Sequence, residues 1–306
     1  MNRPLEAPPM KNHQIRAFIQ VAESGSIRAA ARTLFLSQSA LTKSLRELEE
    51  DVGAELLLRS YKGIEFTPAG KVLLTHARLA LSVLDKAREE VRLLRGGSGA
   101  RVSVATTPLV AIEALPKIWK MFERLQPDAQ LSLSEGFLSH LLPALLEGRL
   151  DFAVAIADPS DLPYELVFEP LMQVVALPAG RRGHPLATSR AWEGLKDATW
   201  VMNFSPGSQS ETLVTWLRDS GLAVPRKIVN CASPMLMAEL MRRTDMVGFC
   251  PEVLLEDKTY SAGLQRFRVR PLPPPMALGL IQLRGVPQSS AAKPLAALFV
   301  KHFRGA

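Results

Sequence analysis

Residues 30–70 read AARTLFLSQSALTKSLRELEEDVGAELLLRSYKGIEFTPAG, and the order of small, apolar and hydrogen-bonding residues in them decides the architecture of the N-terminal third. Just upstream, Ile15, Phe18, Ile19 and Ala22 fall at helical spacing, and Ser24-Gly25-Ser26 breaks the pattern. Ser26 is placed to cap a short second helix with Ile27, Ala30, Ala31 and Leu34 inside; its alanines let another helix approach closely. After a tight connection at Phe35 and Leu36, Ser37 caps a third helix. Its inner positions are Ala40, Leu41, Ser44, Leu45 and Leu48, which leaves Gln38, Ser39, Thr42, Lys43 and Arg46 on the other side. Glutamine can pair bidentately with adenine, lysine with guanine edges, and serine or threonine with bases or phosphates, so this face suits a major-groove reader. Helical spacing alone allows a merely solvated face equally well. Residues 56–58 and 64–66 are expected to pair as a hairpin around Arg59-Ser60-Tyr61-Lys62-Gly63. A basic tip there suits phosphate or minor-groove contact and favours the DNA-reading alternative.

Downstream, Thr67 followed by Pro68 is a strong helix start, and no breaker intervenes before Arg95. Leu73, Ala77, Ala80, Leu84, Ala87, Val91 and Leu94 step by alternating fours and threes, the pattern of a heptad seam between two helices. One long helix packed on its own domain would use the same stripe. Gly96-Gly97-Ser98-Gly99 is a hinge by composition. Beyond it, strands expected at 101–105, 130–134 and 152–156 alternate with helices at 111–125 and 138–147. A second set follows: strands at 200–202, 227–230 and 246–250, with helices at 209–220 and 234–242. The chain then returns through strands at 267–269 and 278–283 to a helix at 289–303. This alternation indicates parallel α/β units and two lobes with a cleft between them.

Ligands bind at the carboxyl ends of parallel strands. That places the candidate small-molecule site at Thr106 and Thr107, at Phe137, Leu138 and Ser139, at Asn203 and Ser205, at Ser233, and at Phe249. Free N–H groups and hydroxyls at helix starts favour a carboxylate or another anion. Serine and threonine there are nonetheless more often plain caps. Phe137 and Leu138 give the pocket an apolar side, to which Met202 and Phe204 could add.

A chain of 306 residues with 47% hydrophobic and 22% charged content favours two or three folded units without a long disordered tract. Residues 1–10, which hold Pro4, Pro8 and Pro9, are expected to form a frayed leader. A net charge of +7 suits a polyanionic partner. Neither a signal segment nor a membrane-spanning run can be read, which places the protein in the cytoplasm. The two cysteines, Cys231 and Cys250, lack metal-type spacing and are expected to be buried free thiols. The five histidines are scattered, no Walker-type or dinucleotide-type glycine loop is present, and Asp151 is read as a turn cap. No metal, cofactor or catalytic activity is therefore expected.

Residues 30–70 resemble the signature of the LysR family of bacterial transcriptional regulators: a small-residue second helix, the SQ-x-AL start of the third, the LE pair and the TPAG exit. The resemblance implies base or backbone contacts from Gln38, Ser39, Thr42 and Lys43, with phosphate or minor-groove contacts from Arg59 and Lys62. Ser39 stands where many members have proline and Lys43 where many have arginine. Farther on, LLEGRLDFAVA, AGRRGHPLA and TDMVGFCPEVL are similar to the family's effector domain, a fold akin to type 2 periplasmic binding proteins. The implied organisation is a winged helix-turn-helix over 1–67, a linker and dimerisation helix over 68–95, and an effector-binding domain over 96–306. Its first lobe is expected at about 100–172 plus 267–306, its second at about 173–266. The implied partners are double-stranded DNA at a partly palindromic promoter site, a small effector that is anionic with an apolar part, a homodimer or homotetramer, and RNA polymerase.

Overall fold

The computed structural model describes residues 10–60, 63–204 and 208–305, so all but Met10 of the expected leader lies outside the described residues. The chain divides into two compact units between Asp85 and Lys86.

The first unit holds α1 (Asn12–Ser24), α2 (Ile27–Thr33), α3 (Gln38–Val52), a hairpin of β1 (Leu57–Ser60) and β2 (Gly63–Phe66), and the first part of α4 (Pro68–Leu94). Ser26 and Ser37 cap their helices: each Oγ accepts an N–H, from Ala29 and Ala40 respectively, at 3.1 Å. Phe18, Val21, Ala30, Ala31, Leu41, Leu45, Leu48 and Leu56 form the core, with Phe66 edge-on to Phe18 at 5.3 Å. Ala40 departs from its expected inward position and is exposed, because the whole start of α3 over 37–40 extends past that core.

Three contacts fix the hairpin to the helices. Glu49 Oε1 accepts the N–H groups of Leu56 and Leu57 at 2.9 and 3.2 Å, so α3 positions the first strand directly. Thr67 Oγ1 accepts the Gly70 N–H and donates to the Glu55 carbonyl, joining the cap of α4 to the segment that leads into that strand. Gly70 packs so tightly that an added Cβ would lie 2.1 Å from the Leu56 carbonyl oxygen. Steric room accounts for the glycine of TPAG.

In the second unit the chain runs β3 (Arg101–Thr106), α5 (Pro108–Glu113), α6 (Leu115–Leu125), β4 (Gln130–Glu135), α7 (Leu138–Leu146), β5 (Phe152–Ala157), β6 (Leu166–Val174) and β7 (Ala176–Arg181). It continues through β8 (Thr199–Met202), α8 (Gln209–Asp219), β9 (Lys227–Asn230), α9 (Pro234–Arg243), β10 (Met246–Pro251), α10 (Glu252–Glu256), β11 (Leu264–Arg266), β12 (Met276–Leu283) and α11 (Ala292–Arg304). Two five-stranded sheets result, ordered β4-β3-β5-β12-β6 and β11-β7-β10-β8-β9. The chain crosses from one sheet to the other between β6 and β7 and returns between β11 and β12. The second lobe is cored by Trp192, Trp200, Met202, Leu217, Phe267 and Val269.

Several expectations are corrected. The sheets are mixed, since β12 runs antiparallel to β5 and β6, and β7 antiparallel to β10 and β11. Residues 267–269 are no strand: β11 ends at Arg266, and the Phe267 N–H only reaches the Pro178 carbonyl at 2.8 Å. The helix expected over 111–125 is two helices that meet at Ala114, because Pro116 in the first turn of α6 removes a donor and crowds the preceding turn. Strands β6 and β7 were not anticipated. Pro170 lies inside β6, which is tolerated because β6 is an edge strand.

Candidate functional site

In the first unit, Gln38 and Ser39 are exposed at the start of α3, Thr42 is half-buried one turn on, and Lys43 is exposed beside it. Lys43 Nζ lies 3.9 Å from Glu47, with its side chain 80% exposed, a pair weak enough to be given up for another anion. Ser39 Oγ is 3.0 Å from Ser37 Oγ. Arg59 stands in β1 opposite Ile64, while Lys62 lies outside the described residues. Thr42, Arg46 and Glu49 share a shallow groove with Leu57 and Ile64 of the hairpin. A hydrogen-bonding helix face beside a two-stranded wing is the arrangement of a major-groove reader.

In the second unit, a cavity of about 80 Å³ lies between the two sheets. From the first lobe it is lined by Thr107, Phe137, Leu138 and Ser139, and from the second by Asn203 and Phe249. The starts of α5, α7, α8 and α9 all reach it, because these helices follow the carboxyl ends of β3, β4, β8 and β9. Asn203 Nδ2 donates to Ser139 Oγ at 3.2 Å, a hydrogen bond from one lobe to the other.

Two expected residues do not line the cavity. Thr106 is buried in β3, its carbonyl accepting the Gly136 N–H. Ser233 caps α9 by accepting the Leu236 N–H, and Pro234 takes its place in the lining. Ser205 lies outside the described residues. Met202 is wholly buried in the second-lobe core, against which Phe204 packs. Asp151 is no turn cap: its carboxylate accepts the Ser103 N–H at 2.8 Å and pairs with Lys86 Nζ at 2.7 Å.

Met237, Met241, Leu254, Tyr260 and Gln209 line the cavity without having been singled out. Met237 and Met241 are four apart on α9, a helical stripe that reads as ordinary core. Thr107 Oγ1 and Gln209 Nε2 are buried without a hydrogen-bond partner. Buried polar groups are nearly always paired, so both are available to a ligand. Burial pushes the Cys250 thiol up to about 12, against smaller opposing effects from the Tyr260 hydroxyl and Arg242, which keeps it protonated and unreactive. Burial likewise raises Tyr260. Both cysteines are free, though Cys231 is only half-buried. Among the described residues no group of three or more metal-type side chains comes together.

The geometry defines a class: a winged helix-turn-helix DNA-reading unit joined to a two-lobed α/β unit that encloses a small-molecule cavity. Comparison with known proteins makes this specific. Residues 12–71 match the family described as bacterial regulatory helix-turn-helix protein, lysR family, and residues 95–304 match the LysR substrate binding domain. The chain belongs to the LysR family of DNA-binding transcriptional regulators and carries that family's effector-binding domain. It is 27% identical over 241 residues to the transcriptional regulator TdcA of Escherichia coli K12, covering 79% of this chain and 77% of TdcA. It is 28% identical over 285 residues to GalR of Pseudomonas putida, covering 93% and 72%. The fold is that of the LysR family regulator CbnR, with a TM-score of 0.64 at 21% identity over 97% of this chain and 99% of CbnR. ArgP from Mycobacterium tuberculosis gives 0.67 at 19% identity, covering 95% and 97%. CbnR has also been solved in complex with its target DNA.

Proposed function

We propose that this regulator reads a partly palindromic promoter site through Gln38, Ser39, Thr42, Lys43, Arg59 and Lys62, and that a small anionic effector with an apolar part, bound between the two lobes, alters that binding. The observation that carries the effector reading is the pair of unsatisfied buried groups, Thr107 Oγ1 and Gln209 Nε2, in a cavity bounded by helix starts. Effector binding shifts the lobes and, through the oligomer, respaces the DNA-reading heads. RNA polymerase is the further partner of such a regulator, and the cytoplasm is its compartment. No described helix is long and apolar enough to cross a membrane.

A homodimer or homotetramer is supported by surfaces left without a partner. Along α4 the seam residues Leu84, Val91 and Leu94 are 48%, 55% and 86% exposed, which a single chain would not favour. The edge strands β4 and β9 are likewise open, every residue of β9 being exposed. Two-fold assembly implies half-sites on one face of the duplex.

Footprinting on the DNA upstream of the protein's own gene tests the reading. A dyad-symmetric protected site is expected, lost in Gln38→Ala and weakened in Lys43→Ala with a salt slope shallower by about one. Protection indifferent to both substitutions refutes the assigned contacts. A footprint and bend unchanged by every small molecule that binds the protein refutes the effector role and leaves an architectural DNA binder.

A further inference from the structure

Among the described residues, the lining of the interlobe cavity contains no ionised side chain: Thr107, Ser139, Asn203, Ser208, Gln209 and Ser210 are its main polar members, and the rest is apolar apart from the protonated Cys250 and Tyr260. Ser205, Pro206 and Gly207, which adjoin it in sequence, carry no ionisable group either. Arg242 lies over the ring of the lining residue Tyr260, but its hydrogen bonds go to Glu239, the Tyr260 carbonyl and the Ala262 carbonyl. We infer that the effector is an apolar-bodied monoanion, a monocarboxylate in chemical class, and that dianions are excluded; this rests on the effector reading above.

The donors suit one carboxylate. Thr107 is only 6% exposed, and its hydroxyl has no partner. The Gln209 amide nitrogen is buried and unpartnered at the first residue of α8, where a helix leaves backbone N–H groups unpaired. Ser139 Oγ accepts from Asn203 and also lies 3.4 Å from His140 Nδ1, so the donor set rests on Thr107 and Gln209. Neutral donors and a helix start can hold one negative charge. A second carboxylate would have to leave water for the wall formed by Phe137, Leu138, Met237, Met241 and Leu254, with no cation to meet it. The unbranched methionines there adapt to varied apolar shapes.

The test titrates the full-length protein calorimetrically with matched sets of acid, diacid and amide on aromatic, branched and linear skeletons, such as benzoate, terephthalate and benzamide. Within a set that binds, the monoacid is expected to be tighter than the amide by about tenfold and tighter than the diacid by about a hundredfold. Thr107→Val is expected to weaken the monoacid by about tenfold while leaving the footprint intact without ligand. A diacid that binds as tightly as its monoacid, or a Thr107→Val chain that binds normally, overturns the inference but leaves an effector site standing. No binding by any class, on a protein that still footprints, removes the effector reading and this inference with it.

In the first unit, the turn between α2 and α3 holds Phe35 at φ +56° with 96% of its surface exposed. A bulky residue rarely adopts this left-handed conformation, and full exposure of the ring adds a second cost. The turn is held by the Phe35 N–H to Arg32 and the Leu36 N–H to Ala31, and it leads directly into Ser37, Gln38 and Ser39. Glycine or asparagine would suit the free protein better. We propose that Phe35 is a DNA contact, its ring laid against an apolar edge of the duplex such as a thymine methyl or a deoxyribose. Phe35→Asn and Phe35→Gly, measured on the fragment that the wild type protects, are expected to keep or raise thermal stability while binding DNA about tenfold more weakly. The salt slope should not change, because an apolar contact releases no counterion. Wild-type affinity in both variants, or affinity and stability falling together, overturns the proposal.

Discussion

Removing the Asp151 carboxylate should destabilise the second unit by about 3 kcal/mol. Its side chain is 6% exposed and makes two short contacts, with the Ser103 N–H at 2.8 Å and with Lys86 Nζ at 2.7 Å. Asp151→Ala strands the Ser103 N–H between β3 and β5, a loss of about 1–3 kcal/mol for a donor to a charged acceptor. It also leaves Lys86 unpaired; since that side chain is 29% exposed, water recovers part of the cost, and the remainder is about 1 kcal/mol. Asp151→Asn keeps an acceptor for Ser103 and should cost about half as much. All four tryptophans, Trp119, Trp192, Trp200 and Trp216, lie in the second unit, so urea unfolding followed by tryptophan fluorescence reports on it alone. With a slope of about 2–3 kcal/mol per M, Asp151→Ala should lower the midpoint by roughly 1 M. A midpoint within error of wild type, or equal losses for the alanine and asparagine variants, refutes the reasoning.

Gly70→Ala should destabilise the first unit by more than about 3 kcal/mol, because the new Cβ meets a backbone carbonyl at 2.1 Å. DNA binding should vanish while tryptophan fluorescence stays native. Ser44 Oγ is buried in α3 without a partner, so Ser44→Ala should stabilise by about 1 kcal/mol and raise the first unit's melting temperature by about 4–8 °C; a lower melting temperature contradicts this. Because the fold raises the Cys250 thiol from 9.0 to about 12, its contribution to stability is complete below about pH 9 and lost as pH rises through 12. Cys250→Ala should therefore flatten the stability profile between pH 9 and 11 relative to wild type. An alkylating reagent at pH 8 should modify native protein at Cys231 and reach Cys250 only on unfolding, which peptide mass analysis decides.

The first unit was legible because its determinants are local. Ser26, Ser37 and Thr67 announce their helices through side chains that bond within three residues, and the alternation of Ala30, Ala31 and Leu41 with exposed polar residues follows from one helical period. Ala40 was misread because period says which side a residue faces and not where the core ends. Strands β6 and β7 were hidden for a related reason. Pro170 and Pro178 argue against strand locally; the edge position of β6 makes the first tolerable, while Pro178 sits opposite Phe249 and lends its carbonyl to the Phe267 N–H just beyond the end of β11. The cavity was the least legible part. Met237 and Met241 lie within α9, Leu254 within α10 and Tyr260 in the loop before β11, and their apolar spacing reads as ordinary core until both lobes are seen to share the cavity.

Cap chemistry separates the hydroxyls that hold helix starts from one that does not. Thr107, Ser208 and Ser233 occupy the same position relative to α5, α8 and α9, and sequence offers no distinction among them. Ser208 accepts the Glu211 N–H and Ser233 the Leu236 N–H; both are committed as acceptors. Thr107 makes no such bond; it lines the cavity, and its hydroxyl is buried without a partner. A buried hydroxyl that neither caps nor pairs lowers stability; under the proposed effector reading a bound carboxylate would supply the missing partner. Ser208→Ala should consequently lower the melting temperature, and Thr107→Val should not, while only the latter weakens a bound carboxylate directly. If the two substitutions had the same effect on melting, the division between cap and ligand donor would be wrong.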